Sequence, residues 1–352
     1  MEDRNNYYIM AFVTFLHRAA IRSDLSFEEA REAMDLILQG RVSPVELAGF
    51  LVAMRMKGET AAELAGFAQA IRAHATPLDA TLDGESLLDT AGTGGDEAAT
   101  FNVSTVAAFV LAGAGARVAK HGNRSISSSC GSADLMEALG VRIDLPPAEA
   151  ARALREIGIA FLFAPHLHPA MKHAQPVRRE LKIRTLFNLV GPLVNPAGAK
   201  RQVIGAPSLE TAELLATALA LLGTTRAYVV HAFDGLDEIS TTGPTMVYEV
   251  RGSAVDKHVW SPEDFGLSRA LLSQLAGGDL AENMRIARSI LAGEPGAARD
   301  LVVANAAAGL MAAGLAATPY QGARMAEEAI DNGAAQAKLR ALQSWPDRTV
   351  SC

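Results

Sequence analysis

From about residue 85 the chain alternates short apolar runs with helical segments, a pattern that commits most of its length to strands joined by helical crossovers. The runs are Leu87-Leu88-Asp89, Val118-Ala119, Ile159 to Phe163, Val203-Ile204-Gly205 and Ala227 to Val230. Helical stretches start at Ser104, after Gly131 and over 208–222, the last closed by Gly223. Ala-rich segments at 279–292, 299–316 and 321–343 read as helices whose small residues allow close packing. Buried parallel strands carry near-continuous apolar runs, so the short Val, Ile and Leu clusters belong inside an α/β body.

The first 73 residues follow a different rule. Ser26 with Glu29 and Thr60 with Glu63 are capping boxes, Ser43-Pro44 places proline at a first helical position, and Gly40 and Gly58 sit where helices stop. Between these signals the apolar residues recur at helical spacing: Ala33, Ile37 and Leu38; Leu47, Phe50, Leu51 and Met54; Leu64, Phe67 and Ile71. The result is a small bundle with one-sided apolar faces, covered by the second domain or by another subunit. Residues 166–198, with His168-Pro169 and Gly191-Pro192, interrupt the strand pattern and read as helices and turns returning to the helical domain. A chain of 352 residues suits one small and one large domain.

Bulk properties exclude several roles. A formal net charge of −7 and the lack of any long basic run argue against nucleic acid or a membrane surface as partner. Two cysteines, Cys130 and Cys352, are too few for a disulfide framework. The polar start Met1 to Asn6 and the His17-Arg18 pair beyond it are wrong for a secretory segment, so a cytoplasmic protein is expected.

Three strand-end segments carry chemistry. The first, Asp89-Thr90-Ala91-Gly92-Thr93-Gly94-Gly95-Asp96, is a glycine cluster after a strand, with Thr100 to Thr105 opening a helix. Glycines let backbone N–H groups approach an anion, and the helix N-terminus adds unpaired donors. A tight turn with an ordinary cap would produce the same glycines, but Asp96 beside phosphates makes sense when a sugar hydroxyl or metal lies between them. The second, Lys120-His121-Gly122-Asn123-Arg124-Ser125, ends another strand and runs through Ser127, Ser128 and Ser129 to Ser132. Ligands of open α/β sheets bind beyond the carboxyl ends of the strands, so both loops should face one crevice, where Lys120 can neutralise a leaving pyrophosphate. The third is Asp234-Gly235-Leu236-Asp237-Glu238, whose adjacent carboxylates suit Mg²⁺. Alone, it is equally a plain acidic loop. No His/Cys cluster has zinc spacing.

Taken together, Gly92-Thr93-Gly94-Gly95-Asp96, Asn102-Val103-Ser104-Thr105, Lys120-His121-Gly122-Asn123-Arg124 and Asp237-Glu238 resemble the signatures of the anthranilate phosphoribosyltransferase family. The resemblance extends over nearly the whole chain, through His168-Pro169-Ala170-Met171-Lys172, Val177-Arg178-Arg179-Glu180, Thr185-Leu186-Phe187-Asn188, Gly191-Pro192-Leu193 and Asn195-Pro196. It implies a nucleoside-phosphorylase-like α/β fold with an N-terminal helical domain and a mixed sheet flanked by helices. The helical domain would comprise 1–76 with about 169–193, and the α/β domain 77–168 and 194–352, in a homodimer formed through the helices.

The implied reaction transfers phosphoribose from phosphoribosyl pyrophosphate to anthranilate, with Mg²⁺ as two ions. The resemblance places the donor on Gly92, Gly95, Asp96, Thr100, Asn102, Val103, Ser104, Thr105, Lys120, His121, Gly122, Asn123, Arg124, Ser125, Ile126, Ser127, Ser128 and Ser132. It places the acceptor among Gly92, His121, Asn123, His168, Arg178, Gly191 and Pro192, and the metal on Ser104, Asp237 and Glu238. Ser129 stands where the family commonly has Lys or Arg, which implies one pyrophosphate contact fewer. An aromatic amine is already neutral near pH 7, so no general base is expected and Lys120 would support the transition state. Two other readings differ at these positions. A pyrimidine nucleoside phosphorylase would join its lysine, histidine and glycine loop in one stretch, and a catalytically silent nucleic-acid binder would have no use for Arg178, Asn123 or the Asp237-Glu238 pair.

Overall fold

The computed structural model describes residues 12–80, 86–95, 100–124 and 130–345. Among the described residues four helices come first: α1 over 12–20, α2 Phe27–Leu38, α3 Pro44–Lys57 and α4 Ala61–Ala73. Both expected capping boxes form, and Ser43 makes a third with Glu46. Glu63 also reaches beyond its own cap. Fully buried, it accepts from the Leu25 N–H at 2.8 Å and from Lys57 Nζ at 2.9 Å, tying the start of α2 and the end of α3 to α4. Phe12, Phe50 and Phe67 pack ring to ring at the centre, with centroids 5.3 and 6.3 Å apart. Helices α2 and α4 approach closely because Gly66 lies directly on the Phe27 carbonyl.

The chain returns to this bundle in mid-sequence. Helices α9 (Gln175–Leu181) and α10 (Leu186–Val190) place Val177, Leu186, Phe187 and Val190 in the same buried cluster as Leu47, Phe50 and Leu64. The helix–turn reading of 166–198 thus has its cause in apolar residues that are buried between the bundle and sheet residues such as Ile204 and Val229.

Among the described residues the sheet has seven strands in the order β3-β2-β1-β4-β5-β6-β7. Strands β1 (Leu87–Asp89), β2 (Arg117–Gly122), β3 (Ile159–Phe163), β4 (Arg201–Gly205) and β5 (Arg226–Ala232) run parallel. The chain winds outward from β1 through β2 to β3, then crosses to β4 on the other side of β1. The loops after β1 and β4 therefore part at the sheet centre, leaving a crevice over the carboxyl ends. Strands β6 (Thr245–Arg251) and β7 (Ala254–Trp260) add antiparallel and make the sheet mixed. The strand pattern did not reveal this hairpin: β7 is an edge strand with charged, exposed positions, so no apolar run marks it.

Of the helices α5 (Val103–Gly113), α6 (Ser132–Ala138), α7 (Pro147–Glu156), α8 (Ala164–Leu167), α11 (Leu209–Leu221), α12 (Leu280–Leu291) and α13 (Ala297–Ala313), α5 and α13 are buried over most of their length. Small residues make this possible: Gly309 lies against Leu111, and Gly113 against the backbone of Ala334 and Ala335. The segment 321–343, read as one helix, is two, α14 (Pro319–Asp331) and α15 (Ala334–Gln343). Gly333, at φ +78°, turns the chain between them. Among the described residues no helix is long and apolar enough to cross a membrane.

Gly66→Ala would press a methyl group onto the Phe27 carbonyl, where backbone must move. Overpacking of this kind costs about 1–3 kcal/mol. The expected result is a lowered thermal midpoint by circular dichroism with unchanged helix content at low temperature.

Candidate active site at the strand-end crevice

Two buried residues organise the crevice. Asp89 ends β1, and its carboxylate accepts from the N–H groups of Ala91 and His121, each at 3.1 Å, and from Asn195 Nδ2 at 2.8 Å. Asn195 Nδ2 also donates to the Ala119 carbonyl at 2.8 Å, so one carboxylate and one amide lock β1 to β2. Lys120 projects from β2 and donates through Nζ to the Thr90 carbonyl at 3.0 Å and to Ser104 Oγ at 3.3 Å. Burial pushes the Asp89 carboxyl up and the Lys120 ammonium down, while their mutual attraction opposes both shifts. Glu238 also draws Lys120 toward its charged form.

A cavity of about 770 Å³ opens above this pair. The first wall is the glycine loop with the start of α5: Gly92, Gly95, Thr100, Asn102, Val103 and Ser104. Thr93 bonds the Gly205 carbonyl through both its N–H and its hydroxyl at 3.1 Å, which fixes the loop against the end of β4. Asn102 is held in turn, donating through its N–H to Asn283 Oδ1 at 2.9 Å and through Nδ2 to the Cys130 carbonyl at 2.9 Å. The second wall is Lys120, His121, Gly122, Asn123, Arg124 and Ser132, where Ser132 Oγ bridges the Asn123 N–H and carbonyl, both at 3.3 Å. The third is Asp237 and Glu238 beyond β5. The fourth comes from the mid-sequence helices: Arg178, Phe187, Gly191 and Pro192. Arg178 stands over the Phe187 ring at 4.9 Å, and burial lowers its pKa.

Not every expected contact reaches the cavity. Thr105 follows Ser104 on α5, and the turn of roughly 100° per helical residue carries it into the core, where it is fully buried. His168 stands off the cavity wall and packs edge-on against His121, with ring centroids 5.2 Å apart. Arg124 does line the cavity, but its guanidinium pairs with Asp134 and Glu137 at the helix after Gly131. Asp96, Ser125, Ile126, Ser127 and Ser128, with Ser129 and Cys352, lie outside the described residues.

Asn188, part of a segment that carries the resemblance, also lines the cavity, and three lining residues escaped the sequence reading: Arg184, Asn283 and Asn305. Arg184 donates to the Gly94 carbonyl at 3.0 Å and packs so closely on Gly95 that a side chain there would collide with it. Asn283 and Asn305 did carry a signal, as lone amides among the buried residues of otherwise apolar helix faces. The carboxylates of Asp237 and Glu238 and the Ser104 hydroxyl form a hard oxygen set on one cavity, which fits Mg²⁺ completed by substrate phosphate and water. Lys120, which Glu238 draws toward its charged form, lies on the same cavity.

A helical bundle on a parallel-centred sheet, with an anion loop at the switch point, places the chain among two-domain glycosyl transferases. The helical bundle domain of the glycosyl transferase family matches residues 13–75, and its a/b domain matches 84–336. An anthranilate phosphoribosyltransferase of Solibacter usitatus is 56% identical over 96% of this chain and 99% of its own. One of Moorella thermoacetica is 53% identical over 91% of this chain and 94% of its own. The crystal structure of the Thermus thermophilus anthranilate phosphoribosyltransferase superposes with a TM-score of 0.88 at 44% identity, covering 94% of this chain and 98% of that one. The Saccharomyces cerevisiae enzyme in complex with PRPP and Mg gives 0.85 at 29% identity, covering 94% and 96%. The chain belongs to the anthranilate phosphoribosyltransferase family.

Burial holds His121 at a pKa of about 4, helped by the Lys120 charge, and His168 at about 3, both below the ordinary 6.5. Each imidazole is therefore neutral in the folded chain, whereas the unfolded chain takes up protons below pH 6.5, so stability must fall as pH drops from 6.5 toward 4. Replacing both with Asn should flatten the dependence of thermal midpoint on pH across that window. A variant whose midpoint falls as steeply as the parent would assign acid lability elsewhere.

Proposed function

We propose that this chain transfers the 5-phosphoribosyl group of phosphoribosyl pyrophosphate to the amine of anthranilate, giving N-(5-phosphoribosyl)anthranilate and pyrophosphate in tryptophan biosynthesis. The observation that carries this reading is one cavity uniting the glycine loop, Lys120, two carboxylates and Arg178. The amine nitrogen bonds to ribose C1 as the C1–O bond to pyrophosphate breaks, and the nitrogen then loses a proton to solvent. No strong base is needed to start, because an arylamine is neutral near pH 7.

In this proposal Gly92, Gly95, Thr100, Asn102 and Ser104 hold the donor, and Lys120 neutralises charge on the departing pyrophosphate. Ser104, Asp237 and Glu238 hold Mg²⁺, as two ions, which when bound polarises the phosphate oxygens. Arg178 pairs with the anthranilate carboxylate, Asn123 and the Gly191-Pro192 turn shape its seat, and His121, backed by His168, gives that seat a neutral wall. Holding amine and C1 in line supplies much of the rate. The same proposal divides the chain into a helical domain of 1–76 with about 169–193 and an α/β domain of 77–168 with 194–352. It makes the protein a cytoplasmic homodimer through the helices, whose exposed Val13, Ile21, Val45 and Met56 support such a contact. The net charge of −7 gives no support to a nucleic-acid role.

The test is anthranilate fluorescence on adding phosphoribosyl pyrophosphate, with and without Mg²⁺. Loss that requires both is expected; no loss with correctly folded protein would overturn the reading. Arg178→Ala should raise the anthranilate KM about tenfold to a hundredfold, the equivalent of about 1.5–3 kcal/mol for a charge-assisted contact. The donor KM should move far less, and equal shifts in both would remove Arg178 from the acceptor seat.

A further inference from the structure

The loop joining β5 to β6 presents Asp237 and Glu238, and three supports hold it. Asp234 accepts from the Leu236 N–H at 3.2 Å and from the hydroxyls of Ser240 and Thr242, closing the loop on itself. The backbone of Gly205 abuts the Asp237 carbonyl so tightly that no side chain fits at 205. The third support comes from 66 residues away. Asn305 of α13 accepts from the Ile239 N–H at 2.9 Å, donates through Nδ2 to the Ile239 carbonyl at 3.0 Å, and donates again to the Leu301 carbonyl at 2.9 Å.

This amide is 3% exposed, and the other buried residues of α13 are Leu, Val, Ala, Gly and Met. Burying an amide is unfavourable without partners, and here both Nδ2 hydrogens and the oxygen are engaged. The partner is the residue immediately after Glu238. Asn305 also lines the cavity that Ser104, Lys120, Asp237 and Glu238 share. Fixing both polar backbone groups of Ile239 leaves the preceding carboxylates little freedom to swing away from that cavity.

We propose that Asn305 is a positioning residue for the divalent-cation site, acting through the backbone of Ile239 rather than on the ion. The inference rests on the reading of Ser104, Asp237 and Glu238 as that site. Loss of a residue that orients metal ligands typically costs about 10- to 100-fold in metal affinity.

The experiment titrates Mg²⁺ into the full chain in two ways: rate at saturating donor and anthranilate, and calorimetric affinity for phosphoribosyl pyrophosphate. Asn305→Ala should raise the half-saturating Mg²⁺ about tenfold or more in both. Asn305→Asp, which keeps the acceptor for the Ile239 N–H but loses the donor, should fall between it and the parent. At saturating Mg²⁺ the anthranilate KM should stay within about twofold. A folded Asn305→Ala with the parental Mg²⁺ midpoint and only a lower thermal midpoint would make the amide a structural pin and overturn the proposal. Where that variant does not fold, Asn305→Asp is decisive, and a parental midpoint there overturns it equally. Asp237→Ala with Glu238→Ala separates the two readings. A parental Mg²⁺ midpoint in that double variant would overturn the metal site and the inference with it, while a shifted midpoint there beside an unshifted Asn305→Ala removes the inference alone.

Discussion

The buried Asp89–Lys120 arrangement is the constraint on which the crevice depends. Removing two ions from water costs several kcal/mol each, so such groups persist only when every neighbour answers them. Here the answers are structural parts of the site. Asp89 draws in the N–H groups of Ala91 and His121 and the amide of Asn195, and Lys120 takes the Thr90 carbonyl and the Ser104 hydroxyl. The central strands are thereby fixed in register at the end where the glycine loop begins. The Lys120 amine thereby ends up buried at the cavity floor, where charges act on one another more strongly than in water.

Much of this was legible in the sequence, for identifiable reasons. The capping boxes and glycine stops of the bundle are local devices, and local devices read correctly. The five parallel strands announced themselves because burial on both faces demands apolar runs. Strand β7 has no such run because it is an exposed edge, whereas β6, buried between β5 and β7, does carry one in Met246, Val247, Tyr248 and Val250 that was not read. The break at Gly333 was overlooked because Ala-rich sequence on both sides suits either one helix or two. At the site, the strand-end segments came together as expected, yet Thr105 turned inward while Ser104 faced the cavity. A motif names both neighbours without saying which one the helix will bury.

Arg184, Asn283 and Asn305 show what spacing cannot convey. Each acts on a segment far away in sequence: Arg184 on Gly94, Asn283 on Asn102, Asn305 on Ile239. The residues that face a ligand cluster in short stretches, whereas those that hold the stretches in place are scattered. Only the tertiary path through the bundle return and the late helices brings them to the crevice.

The four walls of the cavity differ in origin, and this has a consequence for altering the enzyme. Arg178, Phe187, Gly191 and Pro192 sit on a segment that packs with the helical bundle, while the glycine loop, Lys120 and the carboxylate pair hang from the sheet. The two origins are stitched together by Arg184 on the Gly94 carbonyl and Gln202 on the Pro192 carbonyl, yet exchanging the Phe187 side chain for another apolar one leaves the hydrogen bonds of Asp89 and Lys120 in place. Changes on the sheet side have less latitude, because Lys120 both lines the cavity and bonds the Thr90 carbonyl and the Ser104 hydroxyl.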